Sequence, residues 1–254
     1  RGVLWPGATL FLQRLPPGSV VADVGCGDGK YFTAIWEAGS YVIGTDISRP
    51  LLETAFCKSE ATPDTRKVSV HREYLRDRPA VAVADCMSVP LRSKSCDAAI
   101  CIAVMHHLST RERRIRCIEE LVRIVRKGGM INIQAWAMEQ QQNSRRQFAA
   151  SDVFVPFNAQ PKYLEKVDTM GSQERAVNLD VEETKSKSVA KMYSEAYTKA
   201  DFDKNKGLVV FQHYCHLYRH GKMEGIVKEV AGARLVESGY ESGNHFVILE
   251  VTTA

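Results

Sequence analysis

Short apolar runs rich in β-branched residues alternate with helical stretches along most of this chain, from Ser19 onward. The run at 20–24 leads through a glycine-rich turn into a helical stretch that reaches Glu37, and the same succession then repeats. Strands of a parallel sheet are covered on both faces by crossover helices, so they are continuously apolar. The alternation therefore predicts an α/β fold built on a doubly wound, Rossmann-like and mostly parallel sheet.

Five parallel strands are predicted in the first half of the chain. They lie at 20–24, 41–46, 80–85, 96–103 and 130–136. The helices predicted between them lie at 31–37, 51–56 and 110–125. Two glycines at 128 and 129 are expected to stop the last of these helices, because glycine commonly follows a helix C-terminus.

The C-terminal part returns to a regular pattern. Alternation at 208–218 predicts a further strand, and 222–231 is predicted to be a helix. The runs at 234–240 and 245–251 flank the turn sequence Glu-Ser-Gly-Asn, which is typical of an antiparallel hairpin. We therefore expect the sheet to end in a C-terminal antiparallel hairpin.

The segment 140–207 is largely polar, with mixed charges and only scattered apolar residues. We expect it to be an insertion, partly ordered, between the fifth strand and the C-terminal part. Because 254 residues suffice for one sizeable core, the whole chain, 1–254, is predicted to form a single domain that carries this insertion.

Composition and charge restrict the class of protein. No apolar run approaches the roughly 18 residues of a membrane span, so no membrane association is expected. Seven cysteines are scattered without a C-x-x-C pair, which is typical of reduced thiols in a cytoplasmic protein, or one that is nuclear as well. A formal net charge of +4 tolerates an anionic partner but does not require one.

The glycine-rich turn is the first candidate site. Asp23 precedes Gly25, Gly27 and Gly29 at alternate positions, directly after the first strand. Glycines let backbone amides approach a ligand, and the following helix N-terminus offers unpaired donors. Nicotinamide and flavin folds use a similar turn, but an acid at this position would repel a pyrophosphate and suits a cationic amino-acid group. The turn therefore favours S-adenosyl-L-methionine as the cofactor.

Two further acids follow the next two strands. Asp46, followed by Ile47, is positioned to accept both ribose hydroxyls. Asp85, followed by Cys86 and Met87, is positioned to accept a hydrogen bond from the adenine amino group. An aspartate at a strand end also commonly caps the next helix. Three such acids beside the glycine turn, at the sheet edge where ligands bind, predict a class I methyltransferase.

The end of the fourth strand adds Ala103 and the pair His106 and His107. We expect Ala103 and His107 to line the cofactor pocket, whereas His106 lies where a methyl acceptor would approach the sulfonium. An equally simple interpretation is that His106 caps the next helix and that His107 packs beneath it. The sequence leaves both interpretations open.

Several motifs together carry a resemblance to a known family. They are VADVGCGDGKY, IAVMHHLST, VRKGG, QAWAMEQ, DVFVPFN, YCHLYRHGKMEG and GNHFVIL. They resemble the eukaryotic tRNA carboxymethyluridine methyltransferases, including the methyltransferase part of the tRNA-modifying alkylation-repair homologue. The motif that begins at Trp136, and Tyr218-Arg219-x-Gly221 with Gly243-Asn244, are more specific than the glycine turn. The resemblance runs from Trp5 to Val251, apart from 59–78 and 161–206, and His245 stands where the family carries a tryptophan.

This resemblance implies a reaction and two partners. The reaction is methylation of the carboxylate of 5-carboxymethyluridine, at the wobble position of tRNA, to the methyl ester. The tRNA anticodon stem-loop is the implied substrate. A small zinc-binding activator subunit is implied as well, forming a heterodimer by pairing with the edge of the sheet.

A carboxylate acceptor is already ionised at neutral pH, since its reference pKa lies near about 4, so no general base is required. Alignment and desolvation are then the expected contributions of the protein. Arg219 is the first candidate to hold the carboxylate, with a solvated turn arginine as the alternative. Further catalytic candidates are His106, Asn244 and Trp136, which is either a core residue or a stacking surface for a swung-out uridine.

Arginines supply the candidate phosphate contacts, although an arginine run on a helix is equally often a solvated face. They are Arg111, Arg113, Arg114, Arg116, Arg145 and Arg146. His213, Cys215, His216 and His220 are of residue types that bind metals, but no metal site is predicted from this group. Strand alternation places His216 on the opposite face from His213 and Cys215.

Two other functions fit the same scaffold. A small-molecule methyltransferase, acting on a quinone or lipid, would have a closed apolar pocket. A catalytically silent methyltransferase fold that binds RNA or a partner would have no need of an intact cofactor constellation. The polar region at 140–206 and the arginines favour RNA as the substrate, and the intact acids and glycines favour turnover.

Overall fold

A computed structural model describes residues 4–57, 79–140, 144, 147–159, 200–203 and 208–253 of the chain. The chain divides into two compact units. The larger unit consists of Arg1–Val153 and Cys215–Ala254, and the smaller one of Phe154–Tyr214. The smaller unit begins and ends later than the insertion expected at 140–207, of which 160–199 and 204–207 lie outside the described residues.

The elements of the larger unit alternate as the sequence predicts. Its strands are β1 (Val20–Val24), β2 (Tyr41–Asp46), β3 (Ala80–Val83), β4 (Cys96–Ile102), β5 (Val125–Trp136), β9 (Ala233–Glu241) and β10 (Asn244–Val251). Its helices are α1 (Pro6–Gln13), α2 (Phe32–Glu37), α3 (Arg49–Cys57), α4 (Arg111–Ile124) and α5 (Lys222–Val227), and Met105–His107 forms a short 3-10 helix.

Seven strands form one mixed sheet in the order β3-β2-β1-β4-β5-β10-β9. The strands β1 to β5 pair in parallel, and β10 runs antiparallel to both β5 and β9. The prediction of a doubly wound, mostly parallel sheet that ends in an antiparallel hairpin is confirmed. The carboxyl ends of β1, β2 and β3 therefore lie along one edge of the sheet, where the three predicted acids follow them.

Two apolar clusters cover the two faces of the sheet. One contains Phe11 of α1 and Ile35 of α2, packed with Ile100 of β4. The other contains Leu121 of α4 and Ile226 of α5, on the opposite side. Helices on both faces explain why the central strands are continuously apolar, since neither face of these strands meets water.

The prediction that glycines stop α4 is wrong. The helix ends at Ile124, and Val125 already has extended backbone angles and begins β5. A Cβ at Gly129 would lie 2.5 Å from the Asp97 carbonyl oxygen, so this glycine permits close approach of β4 and β5. The glycine therefore serves a strand rather than a helix terminus.

Helix α1 was not predicted from the sequence. Proline occupies its first turn, and Ala8, Phe11 and Leu12 are buried. The Gly7 amide donates a hydrogen bond of 2.7 Å to Oε2 of Glu241, which lies at the end of β9. Because Glu241 is 234 residues away in the sequence, no local pattern around α1 reveals this cap.

The smaller unit contains part of a three-stranded sheet in the order β6-β8-β7, formed by Asp152–Ala159, Leu208–His216 and Ala200–Asp203. The strand predicted at 208–218 is thus present but two residues shorter. Strand β6 was not predicted, because it lies inside the polar segment. Aromatic rings of β6 and β8 contact each other. The ring centroids of Phe154 and Tyr214, for example, are 6.1 Å apart.

Among the helices that the structure describes, none combines the length and apolar character needed to cross a bilayer.

Candidate active site

The glycine turn after β1 is attached to the neighbouring strand by its backbone. The amides of Gly25 and Cys26 donate to the Thr45 carbonyl oxygen at 2.7 and 2.9 Å. Gly25 and Gly27 both have positive φ, at 77° and 55°. A Cβ at Gly25 would lie 2.1 Å from Cγ2 of Val104, whereas a Cβ at Gly27 would meet nothing within 4 Å. The turn is therefore packed on one side and open on the other.

Asp23 is a buried carboxylate at the end of β1, with only 2% of its surface exposed. Its Oδ2 accepts no hydrogen bond from any described residue. Burial, followed by the charge of Asp46, raises the pKa of Asp23 to about 8. An ionised carboxylate in such a place is costly unless a cation pairs with it, so this position favours a cationic ligand group.

Asp46 connects the glycine turn to the end of β2. Its Oδ2 accepts from the Gly27 amide and its Oδ1 from the Ser48 amide, both at 2.8 Å. The next residue, Ile47, is 74% exposed, so an apolar side chain stands beside the carboxylate. A ribose and the edge of an adenine ring need this pairing of acceptor and apolar surface.

Asp85 lies in the turn after β3, which ends at Val83 rather than at the predicted position 85. The Asp85 Oδ1 accepts from the Met87 amide at 2.9 Å, so one role of this carboxylate is to hold its own turn. A hydrogen bond with the Cys117 thiol, followed by burial, raises the pKa of the Cys86 thiol. Cys86 is therefore a packing residue in this wall and not a nucleophile.

Backbone strain marks the end of β4. Ala103 has a φ of 63°, a left-handed conformation that residues other than glycine rarely adopt. Its amide donates to the Gln134 carbonyl oxygen at 2.9 Å, which holds the conformation in place. Such strain persists only where the surrounding structure enforces it, and it is concentrated at functional sites.

The interpretation that His106 caps the following helix is wrong, since the Thr110 side chain accepts from the Arg113 amide at the N-terminus of α4. His106 instead lies flat against Trp136, with ring centroids 4.6 Å apart and an interplanar angle of 19°. The Trp136 amide also donates to His106 Nδ1 at 3.4 Å. Two of the predicted acceptor-side residues are thus in direct contact.

Asn244 joins the same group from the neighbouring strand, since it is paired with Trp136 in the register of β10 and β5. It is 3% exposed, and its Nδ2 donates to the carbonyl oxygens of Glu241 and Ser242 at 3.2 and 3.1 Å. These bonds hold the β9–β10 turn. The geometry makes Asn244 a positioning residue for the turn opposite Trp136.

Arg219 is exposed and lies beside the segment that follows β5. Its Nε contacts Met138 Sδ at 3.2 Å. The preceding residue, Tyr218, is fully buried and exchanges backbone hydrogen bonds with Trp136 and Met138 at 2.9 and 2.8 Å. Although Arg219 is distant from Trp136 in the sequence, this backbone pairing places it on the same side of the site.

Three of the arginines expected to bind phosphate are engaged by the protein itself. Arg111 forms an ion pair with Glu229, and Arg116 donates to Glu120 at 2.7 Å. Arg114 is buried and donates to the Leu108 carbonyl oxygen at 2.9 Å. These contacts disfavour Arg111, Arg114 and Arg116 as phosphate ligands. Arg145 and Arg146 lie outside the described residues.

A possible metal group differs from the one considered in the sequence. Potential ligand atoms of His106, His107 and Cys215 lie within 4.8 Å of one another. Because the Trp136 amide donates to Nδ1 of His106, that nitrogen is the acceptor and Nε2 carries the proton. A metal-bound histidine needs a free lone pair on the nitrogen that does not carry the proton, and here the Nδ1 lone pair is already engaged by the Trp136 amide. The hydrogen bond therefore opposes coordination by His106.

The comparisons with known proteins agree with this geometry. A family model described as "Methyltransferase domain" matches residues 22–133. The chain is 32% identical over 249 residues to the tRNA (carboxymethyluridine(34)-5-O)-methyltransferase of Schizosaccharomyces pombe, covering 97% of this chain and 87% of that protein. It belongs to the tRNA carboxymethyluridine methyltransferase family.

Longer members of this family also match. The tRNA (carboxymethyluridine(34)-5-O)-methyltransferase ALKBH8 of Macaca fascicularis is 32% identical over 295 residues, covering 98% of this chain. The chain spans 41% of the length of that relative.

Solved structures support the fold of this family member. The CcbJ methyltransferase of Streptomyces caelestis superposes with a TM-score of 0.62 at 14% identity, covering 97% of this chain and 88% of that one. A putative methyltransferase in complex with the Trm112 methyltransferase activator of Haloferax volcanii has a TM-score of 0.54 at 14% identity, with 97% and 89% covered. At these identities, the structural similarity establishes that the chain has a methyltransferase fold but says nothing of its substrate or partners.

Glu139 was not among the site residues that the sequence of this family member predicted. Glu139 accepts from the His220 amide at 3.3 Å and lies 2.9 Å from His245 Nε2, while its carbonyl oxygen accepts from Tyr240. Although burial opposes it, the hydrogen bond with His245 lowers the pKa of Glu139. Its partners lie 81 to 106 residues away in the sequence, so no local pattern reveals them. His245 is thus the buried partner of Glu139.

Proposed function

We propose that this chain is an S-adenosylmethionine-dependent tRNA methyltransferase, which esterifies 5-carboxymethyluridine at the wobble position to 5-methoxycarbonylmethyluridine. The observation that carries the proposal is the match over 97% of this chain to a relative whose name states that activity. The buried Asp23, whose Oδ2 accepts no hydrogen bond from a described residue, supports the cofactor part of the proposal, because a cationic ligand group would offset the cost of that carboxylate.

The residues of the turn fit the cofactor. Asp23 would pair with the cationic amino group, and the open side of Gly27 leaves room for the ligand against the backbone. Asp46 would accept from the ribose hydroxyls while Ile47 covers the adenine, and Asp85 and Met87 would form the other wall. When bound, S-adenosylmethionine supplies a methyl group that is activated by its positive sulfur.

The acceptor side needs no proton transfer. The carboxylate of the acceptor is already ionised at neutral pH, so it could accept the methyl group that the cofactor would supply without first losing a proton. His106 is therefore not required as a base, in agreement with the Nδ1 acceptor role imposed by Trp136. Arg219, exposed and at the same side of the site, would hold and orient the carboxylate through its planar guanidinium.

We further propose that the chain acts with a small zinc-binding activator at an edge of its sheet. Strand β3 is one edge of the sheet, and its last residue, Val83, is 57% exposed, which leaves apolar surface for a partner to cover. A monodisperse and fully active chain in the absence of any activator would contradict this part.

We also propose that the protein is located in the cytoplasm and in the nucleus as well. All seven cysteines are free thiols, which supports a reducing compartment of this kind.

The deciding experiment incubates the full chain, with and without activator, with S-adenosylmethionine and tRNA that carries 5-carboxymethyluridine. Mass spectrometry of the digested nucleosides should show the methyl ester, and Asp46→Ala should abolish it. Free carboxymethyluridine and small acids serve as competing substrates. Ester formation on these alone would favour a small-molecule enzyme, and cofactor binding by calorimetry without any turnover would favour a silent module.

A further inference from the structure

Trp136, at the end of β5, contacts two other aromatic rings. The His106 ring is stacked on it with centroids 4.6 Å apart and an interplanar angle of 19°. The Phe148 ring is inclined to Trp136 by 24° at a centroid distance of 6.4 Å. Both rings are thus nearly parallel to the same indole, but Phe148 is the more distant of the two.

Described residues on both sides of Phe148 in the sequence make hydrogen bonds. Gln140 Nε2 donates to the carbonyl oxygens of Ala137 and Gly243 at 2.7 and 3.1 Å. Ser144 donates to the Gln140 side chain at 3.3 Å, and the Ser151 carbonyl oxygen accepts from the Leu217 amide at 2.6 Å. Anchors at Gln140 and Ser151 lower the ordering cost of presenting the Phe148 ring on binding.

We propose that Trp136 and Phe148 are the stacking pair that takes up the swung-out wobble base, with His106 supporting Trp136 through the stacked contact between their rings. The inference rests on the proposed function and adds to it the two residues that bind the heterocycle. Phe148 is assigned here as a substrate-positioning residue.

An RNA base is the occupant that fits the chemistry of this place. Aromatic rings stack on any base through its π-face, which suits a site that receives one nucleotide after it leaves the helix. Trp136 and Phe148 are both partly buried, so each retains surface for a ligand. The contact of Arg219 with Met138, two residues beyond Trp136, also places a cation close to this pair, where the 5-carboxymethyl group needs one.

Binding of the base requires the gap between the Trp136 and Phe148 rings to widen, but it does not require the surrounding hydrogen bonds to be remade. The Phe148 ring must move away from Trp136 far enough for a planar base to enter between them, and the 6.4 Å separation is already longer than that of the His106 contact. The hydrogen bonds of Gln140 and Ser151 do not involve the Phe148 side chain, so its ring can shift while they stay intact.

The test compares three variants of the full chain with its activator: Phe148→Ala, Phe148→Leu and Phe148→Tyr. Leucine retains apolar volume without a π-face, and tyrosine retains the ring. We expect Phe148→Ala to raise KM for a carboxymethyluridine stem-loop roughly five- to hundredfold, because base–aromatic stacking contributes roughly 1–3 kcal/mol. Phe148→Leu should resemble Phe148→Ala, and Phe148→Tyr should resemble the wild type, with kcat and cofactor Kd unchanged in all three.

A second readout separates this inference from the proposed function. Stem-loops with 2-aminopurine at the wobble position lose fluorescence when that base stacks on aromatic rings, whether or not methyl transfer occurs. If the wild type forms no ester but quenches the probe, and Phe148→Ala abolishes quenching, the function fails and the stacking pair stands. If the wild type forms ester but Phe148→Ala leaves KM and quenching unaltered, or Phe148→Leu restores both, the stacking pair is wrong.

Discussion

The cofactor end of the site and its acceptor end are built in different ways. At the cofactor end, Gly27 and Asp46 meet across 19 residues, with one parallel strand pair between them. At the acceptor end, Glu139 meets His245 across 106 residues, and Gln140 meets Gly243 across 103. One end follows from neighbouring elements, and the other from segments that only the complete sheet brings together.

The difference teaches where each end obtains its stability. At the cofactor end the buried Oδ2 of Asp23, which accepts no hydrogen bond from a described residue, lies beside an open turn, so a bound ligand completes it. At the acceptor end Glu139, Gln140 and Trp136 are already held by internal hydrogen bonds and ring contacts, and the Phe148 ring is the part that has to shift. The predictions below, ranked by the expected change in the free energy of unfolding, test that contrast.

The largest effect is expected for Asp23→Asn. The carboxyl has a pKa of about 8 in the folded protein, well above its ordinary value of 3.8, so the folded state holds an extra proton between these values. The free energy of unfolding of the wild type should therefore fall as pH rises through this interval, by at most about 6 kcal/mol. Asp23→Asn should remove the fall, and urea unfolding from about pH 5 to about pH 9 measures it.

The same variant should bind the cofactor far more weakly, because it lacks the charge that pairs with the amino group. Titration calorimetry of the wild type below pH 8 should also show proton release on binding, since the carboxyl must ionise. Parallel stability curves for the two proteins, or equal cofactor affinities, would remove Asp23 from its assigned place.

Gly25→Ala should come next. The added Cβ would lie 2.1 Å from Val104 Cγ2, at a φ of 77°. Overpacking and the left-handed backbone together should cost roughly 2–4 kcal/mol. Gly18→Ala is the matched control, with a φ of 83° and nothing within 4 Å, and should cost roughly 1–2 kcal/mol from backbone strain alone.

Because Val104 directly precedes the 3-10 helix with His106, this pair of variants tests whether the two ends are coupled. Equal losses for Gly25→Ala and Gly18→Ala in chemical denaturation would mean that the turn does not depend on the acceptor side.

Glu139→Ala should have a smaller effect, about 1–2 kcal/mol, because it leaves buried His245 without its hydrogen-bond partner. We expect KM for tRNA to rise while the Kd for cofactor stays constant, since the bonds of Glu139 are all at the acceptor end. Glu119→Ala, an exposed acid of α4, is the control. A double-mutant cycle with His245→Ala measures the coupling, and an additive result would argue against this pair.

The smallest change in stability is expected for Arg219→Ala, within about 0.5 kcal/mol, since the side chain is exposed. KM for carboxymethyluridine stem-loops should nevertheless rise, with partial retention in Arg219→Lys, which preserves charge but not the planar fork. Arg234→Ala, an exposed arginine of β9, controls for loss of one positive charge. If both alanine variants behave alike, Arg219 does not hold the acceptor.

Much of the fold was predictable because its signals are short. The bounds of β1 and β2 were predicted to the residue, since each is a short, largely apolar run with an aspartate at or next to its end before a turn. Every bound of the two hairpin strands was predicted within one residue, from the Glu-Ser-Gly-Asn turn. The end of α4 was not predicted correctly. Glycine can either end a helix or let two strands approach closely, and only the proximity of Asp97 shows that the second role applies at Gly129.

The sequence by itself determined the parallel sheet, the glycine turn and the three acids at its edge, because each depends on periodicity or spacing within a few tens of residues. Tertiary structure alone decided that Phe148 faces Trp136, that Glu139 holds His245, and that Glu241 caps α1. Those contacts join positions that are independent in local propensity, and the contact of Glu139 with His245 needs antiparallel β10 to pair with β5.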